Sequence, residues 1–359
     1  MQKDNKLLIT GIAYLAAMLL LVVVQLLVSL GCFAGLSDAA IEVVFSVVTQ
    51  IGIMFLVPFV ILVVSKRRVG TPLPVQTVFH EVGWGKISGK NILLAFVLGF
   101  CLYLLNLFVA SFFAGILQSF GYQYTSADNV FPGVDGLITT LILTAVLPGL
   151  CEEFLHRGVL LSGLTKRFGV HKAVLLVSLL FGLMHMNVGQ FFFASILGWF
   201  LCLAVLSAKS LWVGVIIHFT NNAISVYMSY ADELQLPGAS VLVNFLANPI
   251  LFVLTMLVVI IVIGGILRHL ARESFEQNRD LYTVRYLAAQ NEFSNENFDK
   301  VREALGQVIK TMPTWKAIFA YVETYDRPQP MKPLERAVVV ATFVLGSIMT
   351  ILTLIWGVL

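Results

Sequence analysis

Apolar runs long enough to cross a bilayer recur along the whole chain, and they limit what it can fold into. About 18 consecutive apolar residues suffice for a span, and runs such as 7–30, 92–116 and 241–267 are longer. Hydrocarbon offers no water to the backbone, so only helices or closed barrels satisfy their hydrogen bonds there. The runs are uniformly apolar rather than alternating, which selects helices. Composition agrees: 58% of residues are apolar and 12% charged, against roughly 45–50% and about 25% in soluble domains. The expected fold is all-α, a polytopic transmembrane bundle. Nine helices are predicted, over 7–30, 42–65, 92–116, 136–163, 171–188, 190–207, 211–230, 241–267 and 336–357. Eight is the alternative, because the fifth and sixth are short and tightly joined. The first run is too long for the roughly 7–15-residue core of a signal peptide and reads as a membrane helix.

Basic loops orient the bundle. Lys3 and Lys6 precede the first helix, and Lys66, Arg67 and Arg68 follow the second. Lys166, Arg167 and Lys172 lie between the fourth and fifth, Lys209 between the sixth and seventh, and Arg268 and Arg272 after the eighth. Loops 31–41, 117–135 and 231–240 hold no Lys or Arg, only acids such as Asp38, Asp128, Asp135, Asp232 and Glu233. Nine spans then put the N-terminus in the cytosol and the C-terminus outside. The expected location of this multi-pass protein is a plasma membrane, bacterial rather than eukaryotic, although no residue pattern dictates that choice.

Residues 268–335 break the pattern. Eleven of the 23 basic residues and ten of the 20 acids fall between Arg268 and Arg336. Arg279 to Gln290, and the stretch from Asp299, read as amphipathic helices. A Pro-rich linker, Arg327-Pro-Gln-Pro-Met-Lys-Pro, leads into the last helix. The expected organisation is a bundle over 1–267, a cytosolic helical insert over 268–335 and a final transmembrane helix over 336–359. Residues 69–90, with Pro72, Pro74, Gly83 and Gly85, read as a loop. Net charge is only +3, which gives no reason to expect nucleic acid. Cys32, Cys101, Cys151 and Cys202 lie in or beside apolar segments with no metal or disulfide spacing, so they read as small packing residues.

Ionisable side chains inside membrane helices are costly and mark function by default. Three clusters stand out. Glu152-Glu153 with Arg157 follows Pro148-Gly149, which should loosen the helix. Glu153 and Arg157 are four apart on one face, and Glu152 points about 100° away. Phe181 and His185 share a second helix face, and His218 and Asn222 a third; Asn221 reads as a helix–helix contact. Each cluster taken alone also fits a structural role in holding the bundle. Measured from Lys166, Lys172 and Lys209 at about 1.5 Å per residue, Glu152, His185 and His218 sit roughly 21, 20 and 14 Å deep.

A carboxylate beside an imidazole deprotonates a water. A second imidazole and an amide donate to the oxyanion that forms when the water attacks a carbonyl. No Gly-x-Ser-x-Gly or His-Glu-x-x-His occurs; His80-Glu81-Val-Gly-Trp84 breaks the latter at its last position. Zinc held by Glu152, His185 and His218 stays open on residue type alone.

Taken together, Glu152-Glu153-x-x-x-Arg157, Phe181-x-x-x-His185 and His218-x-x-x-Asn222 resemble the three motifs of the CPBP (Abi) family, which includes the type II CAAX prenyl endopeptidases. The resemblance covers about residues 90–230. It implies an intramembrane endopeptidase in which Glu152 and His185 activate water, and His218 and Asn222 hold the oxyanion. Glu153, Arg157 and Phe181 support them, and no metal or other cofactor is needed. Its substrate would be a membrane-associated peptide or protein, met within the lipid bilayer. Two other classes compete. A silent scaffold or regulator of the same fold would use the polar core only for packing. A proton-relaying transporter should show internal repeats, and no motif occurs twice.

Overall fold

The computed structural model describes residues 5–66, 74–123, 130–290, 294–311, 316 and 330–358, and every regular element among them is a helix. Lys3, Arg67, Arg68, Pro72, Asp128 and the linker residues 327–329 lie outside these residues.

The helices are α1 Lys6–Ser29, α2 Asp38–Lys66, α3 Pro74–Glu81, α4 Gly89–Ser119, α5 Gly133–Leu164, α6 Val170–Met184, α7 Val188–Ala208, α8 Leu211–Ser229, α9 Ala239–Ala247, α10 Pro249–Gln277, α11 Arg279–Gln290, α12 Asn295–Thr311 and α13 Pro333–Val358. Eight of them (α1, α2, α4, α5, α7, α8, α10 and α13) are long and apolar enough to cross a membrane. The ninth expected span, 171–188, is the 15-residue α6. At 1.5 Å per residue it reaches about 22 Å, short of a hydrocarbon core of about 30 Å. Met186, in the left-handed region at φ 48°, turns the chain from α6 into α7. The two helices pack along each other as a hairpin, so 165–172 and Lys209 stay at the same end although α6 is short.

Two other boundaries differ from expectation. The stretch 241–267 is split by Pro249, which lacks an N–H and opens a new helix at its first position. Asn248 caps that helix, its side chain accepting from the N–H groups of Ile250 and Leu251. α10 then runs ten residues past 267, so the start of the charged insert continues this helix. The loop read over 69–90 contains α3, which is tied to α2 by the Lys66–Glu81 ion pair.

Polar contacts define the two ends of the bundle. At one end Arg167 makes a buried two-pronged pair with Glu335 of α13, at 3.0 and 2.9 Å. Lys332 Nζ donates to Asn5 Oδ1, and Lys209 Nζ lies 4.5 Å over the Tyr282 ring of α11. Asn5 at the start of α1, the 165–172 loop, Lys209 and Tyr282 of the charged insert therefore lie at that end. At the other end Glu233 Oε1 accepts from Gly133 N, and Gln123 N donates to Gly357 O near the close of α13.

Outward faces stay apolar: Val253, Leu257 and Ile261 of α10 are all exposed. Lipid tails are as apolar as these side chains, so close packing holds the helices together. Small residues allow it. A Cβ on Gly99 of α4 would fall 2.6 Å from Thr220 Cβ of α8.

Candidate active site

The middle of α5 departs from regular α geometry on both sides of the acidic pair. Ile142–Val146 and Phe154–Leu160 are π-helical and flank Leu147–Glu153. Wider turns of this kind recur at functional sites. Pro148 accounts for one further contact. In an α-helix its N–H would donate to Thr144 O; proline has none. Thr144 O instead accepts from Asn222 Nδ2 of α8 at 2.9 Å. The proline thus removes one donor from the turn in which Asn222 reaches Thr144 O.

Glu153 and Arg157 are fully buried and paired, Arg157 Nη1 donating to Glu153 Oε1 at 2.6 Å. Arg157 also donates to Gly198 O of α7 at 3.1 Å and sits 4.4 Å over the Phe181 ring. His218 Nδ1 is 3.0 Å from the same Oε1. An ionised carboxylate only accepts, so Nδ1 carries the proton. His218 Nε2 then points toward Glu152, whose Oε2 is 4.0 Å away. The separation is too long for a hydrogen bond.

Phe181 gathers the imidazoles. Its ring lies edge-on to those of His156, His185 and His218, with centroids at 4.8, 5.1 and 5.7 Å. His185 caps the end of α6 with Nδ1 2.9 Å from Phe181 O. A carbonyl only accepts, so Nδ1 donates and Nε2 is left as an acceptor. His185 and Asn222 are half-buried, while Glu152, Glu153, Arg157 and His218 are buried.

Four residues outside the motifs join the site: Gln50, Tyr14, Asn106 and His156. Gln50 Nε2 of α2 donates to Glu152 Oε1 at 2.9 Å. Tyr14 Oη of α1 lies 3.0 Å from His156 Nε2, and His156 Nδ1 donates to Glu152 O at 2.8 Å. Asn106 Nδ2 of α4 donates to Asn221 Oδ1 at 3.1 Å, and Asn221 Nδ2 to Asn222 Oδ1 at 3.0 Å. Asn221 is thus a helix contact and also a link that orients Asn222. The sequence signal for Gln50, Tyr14 and Asn106 was an uncharged polar group inside an apolar span, which a search for ionisable groups passes over.

Among the described residues no three His, Cys, Asp or Glu side chains converge on a point where they would hold a metal ion. The Nδ1 atoms of His185 and His218 are already committed, which leaves one nitrogen on each ring.

Residues 135–224 match the family model described as type II CAAX prenyl endopeptidase Rce1-like. The match supports the CPBP and CAAX protease family that the three motifs resemble. The matched segment spans α5 to α8, about a quarter of the chain, and contains every motif residue. Gln50, Tyr14 and Asn106 reach the site from outside it. No curated protein and no solved structure matches the chain.

Proposed function

We propose that the protein is an intramembrane endopeptidase that cuts a membrane-associated peptide or protein at this cluster. The carrying observation is the 4.0 Å separation of Glu152 Oε2 and His218 Nε2. In a tetrahedral intermediate the attacking water oxygen and the oxyanion share one carbon. A base on one and a donor on the other, each about 2.8 Å from its partner, can then lie as little as about 4–5 Å apart, a range that the observed pair falls in.

In this reading Glu152 accepts a proton from the water through Oε2, and His185 Nε2 takes part in orienting it. His218 serves the oxyanion through Nε2 when both its nitrogens carry protons, with Glu153 holding the Nδ1 side of the ring. Asn222 contributes the N–H that Thr144 O does not use. Glu153 and Arg157 hold His218 and Phe181 in place. The water is activated by carboxylate and imidazole, with no metal in the step.

The orientation proposed is the sequence-based one, with the end carrying Arg167, Lys209 and the insert in the cytosol. Cysteine labelling from each side at 31–41 and in the insert tests it, and labelling of both from one side refutes it. A prenylated tail, a leader peptide and a signalling peptide are all membrane-associated substrates of the required kind. Incubating the purified protein with such peptides, and sequencing the products, tests the activity. The reading requires an internal peptide bond to be cut.

A further inference from the structure

We infer that Gln50 is a positioning residue for Glu152, anchoring Oε1 so that Oε2 is left as the oxygen facing His218. The inference rests on Glu152 being the proton-accepting carboxylate of the proposed function, and it deepens that reading.

Gln50 stands in the second membrane helix, in an apolar stretch where its only polar neighbour in sequence is Thr49. A carboxamide taken out of water is costly unless its hydrogen bonds are met. Here only half are. Nε2 donates to Glu152 Oε1 at 2.9 Å, while Oε1 of Gln50 is buried with no partner among the described residues. Acceptors alone on the carboxylate fix which way the amide points. The side chain is spent on one contact, and that contact is with the acid at the centre of the site.

The backbone favours the same aim. Gln50 lies in the π-helical stretch Val48–Leu56 of α2, which packs against the Leu147–Glu153 segment of α5. π-helical turns hold an extra residue and so redirect side chains from the regular helical register. Thr49, Gln50, Ile53 and Met54 of this stretch are buried. A base with one oxygen held cannot rotate away from its water, and this kind of preorganisation is what supports a reacting group. Gln50 also lies well outside residues 135–224, so this helix would be completing the site from another part of the chain.

Gln50→Met keeps the chain length and removes the donor. The expected result is a loss of about 10- to 100-fold in kcat, the scale of one hydrogen bond to a charged group, with KM changed less than about twofold. In a Glu152→Gln background the same substitution should have no further effect, because the group it positions is gone. A second readout needs no turnover. The infrared carboxylate band that disappears in Glu152→Gln should shift in Gln50→Met, because its hydrogen bond is lost. Gln50→Asn, one methylene shorter, withdraws the amide and should give the same two results, which covers a failure of the Met variant to fold. A shifted band in a protein that cuts no peptide upholds the anchoring contact and refutes the protease reading. An unshifted band, or a shifted band with unchanged kcat in an active enzyme, overturns the inference.

Discussion

His218 Nδ1 donates to Glu153 Oε1 across 3.0 Å, joining α8 to α5 at the centre of the bundle. Arg157 donates to the same oxygen, so Glu153 holds two cationic or polar partners with one atom. Removing it strands both. Glu153→Ala should cost about 3–5 kcal/mol, as for the broken half of a buried pair, and Arg157→Ala should cost a similar amount. Thermal unfolding in detergent measures this. Gly214→Ala should disturb the same carboxylate by crowding, since its Cβ would fall 2.6 Å from Glu153 Oε2.

Asn222 is tied to Thr144 O, four residues before Pro148, which has no N–H to give. Pro148→Ala supplies a donor that competes for that carbonyl. The expected outcome is lower kcat with stability held or raised. Asn222→Ala should lose about 10²–10³ in kcat, the usual cost of one oxyanion donor. Steady-state kinetics beside thermal unfolding separates the two effects.

Much of this polar cluster is legible in the sequence because charge is so rare in an apolar chain. Glu152, Glu153, Arg157, His185 and His218 stood out by contrast, and helical spacing placed Glu153 on the Arg157 face. The spans followed from length alone, except where length misleads. Residues 171–188 look like a crossing, but the chain turns at Met186 after only 15 helical residues. Uncharged Gln50, Tyr14 and Asn106 carry no such contrast, and their partners lie more than 100 residues away. His218 showed as a donor beside Asn222, but its use of Nδ1 on Glu153 depends on the α5–α8 crossing, which no local pattern encodes.

The last helix is fastened at its start by Arg167 and Glu335, both buried. Arg167→Glu should strongly destabilise the protein by setting two carboxylates against each other. Adding Glu335→Arg should recover part of the loss. Unfolding midpoints of the two single variants and the double variant check this, and full additivity would mean that the pair does not couple.

Activity should survive exhaustive treatment with EDTA or phenanthroline, since the proposed step uses no metal. Loss on chelation, restored by zinc, would transfer the role to a zinc ion held by Glu152, His185 and His218.

The most direct measurement is the rate at which Glu152→Gln cuts a membrane-anchored peptide that the wild type cuts. The substitution keeps the shape and removes the base. The expected result is a fall of about 10²–10⁴ in kcat, the range for general-base catalysis, with the unfolding midpoint little changed. Cleavage by Glu152→Gln at the wild-type rate would contradict the central claim.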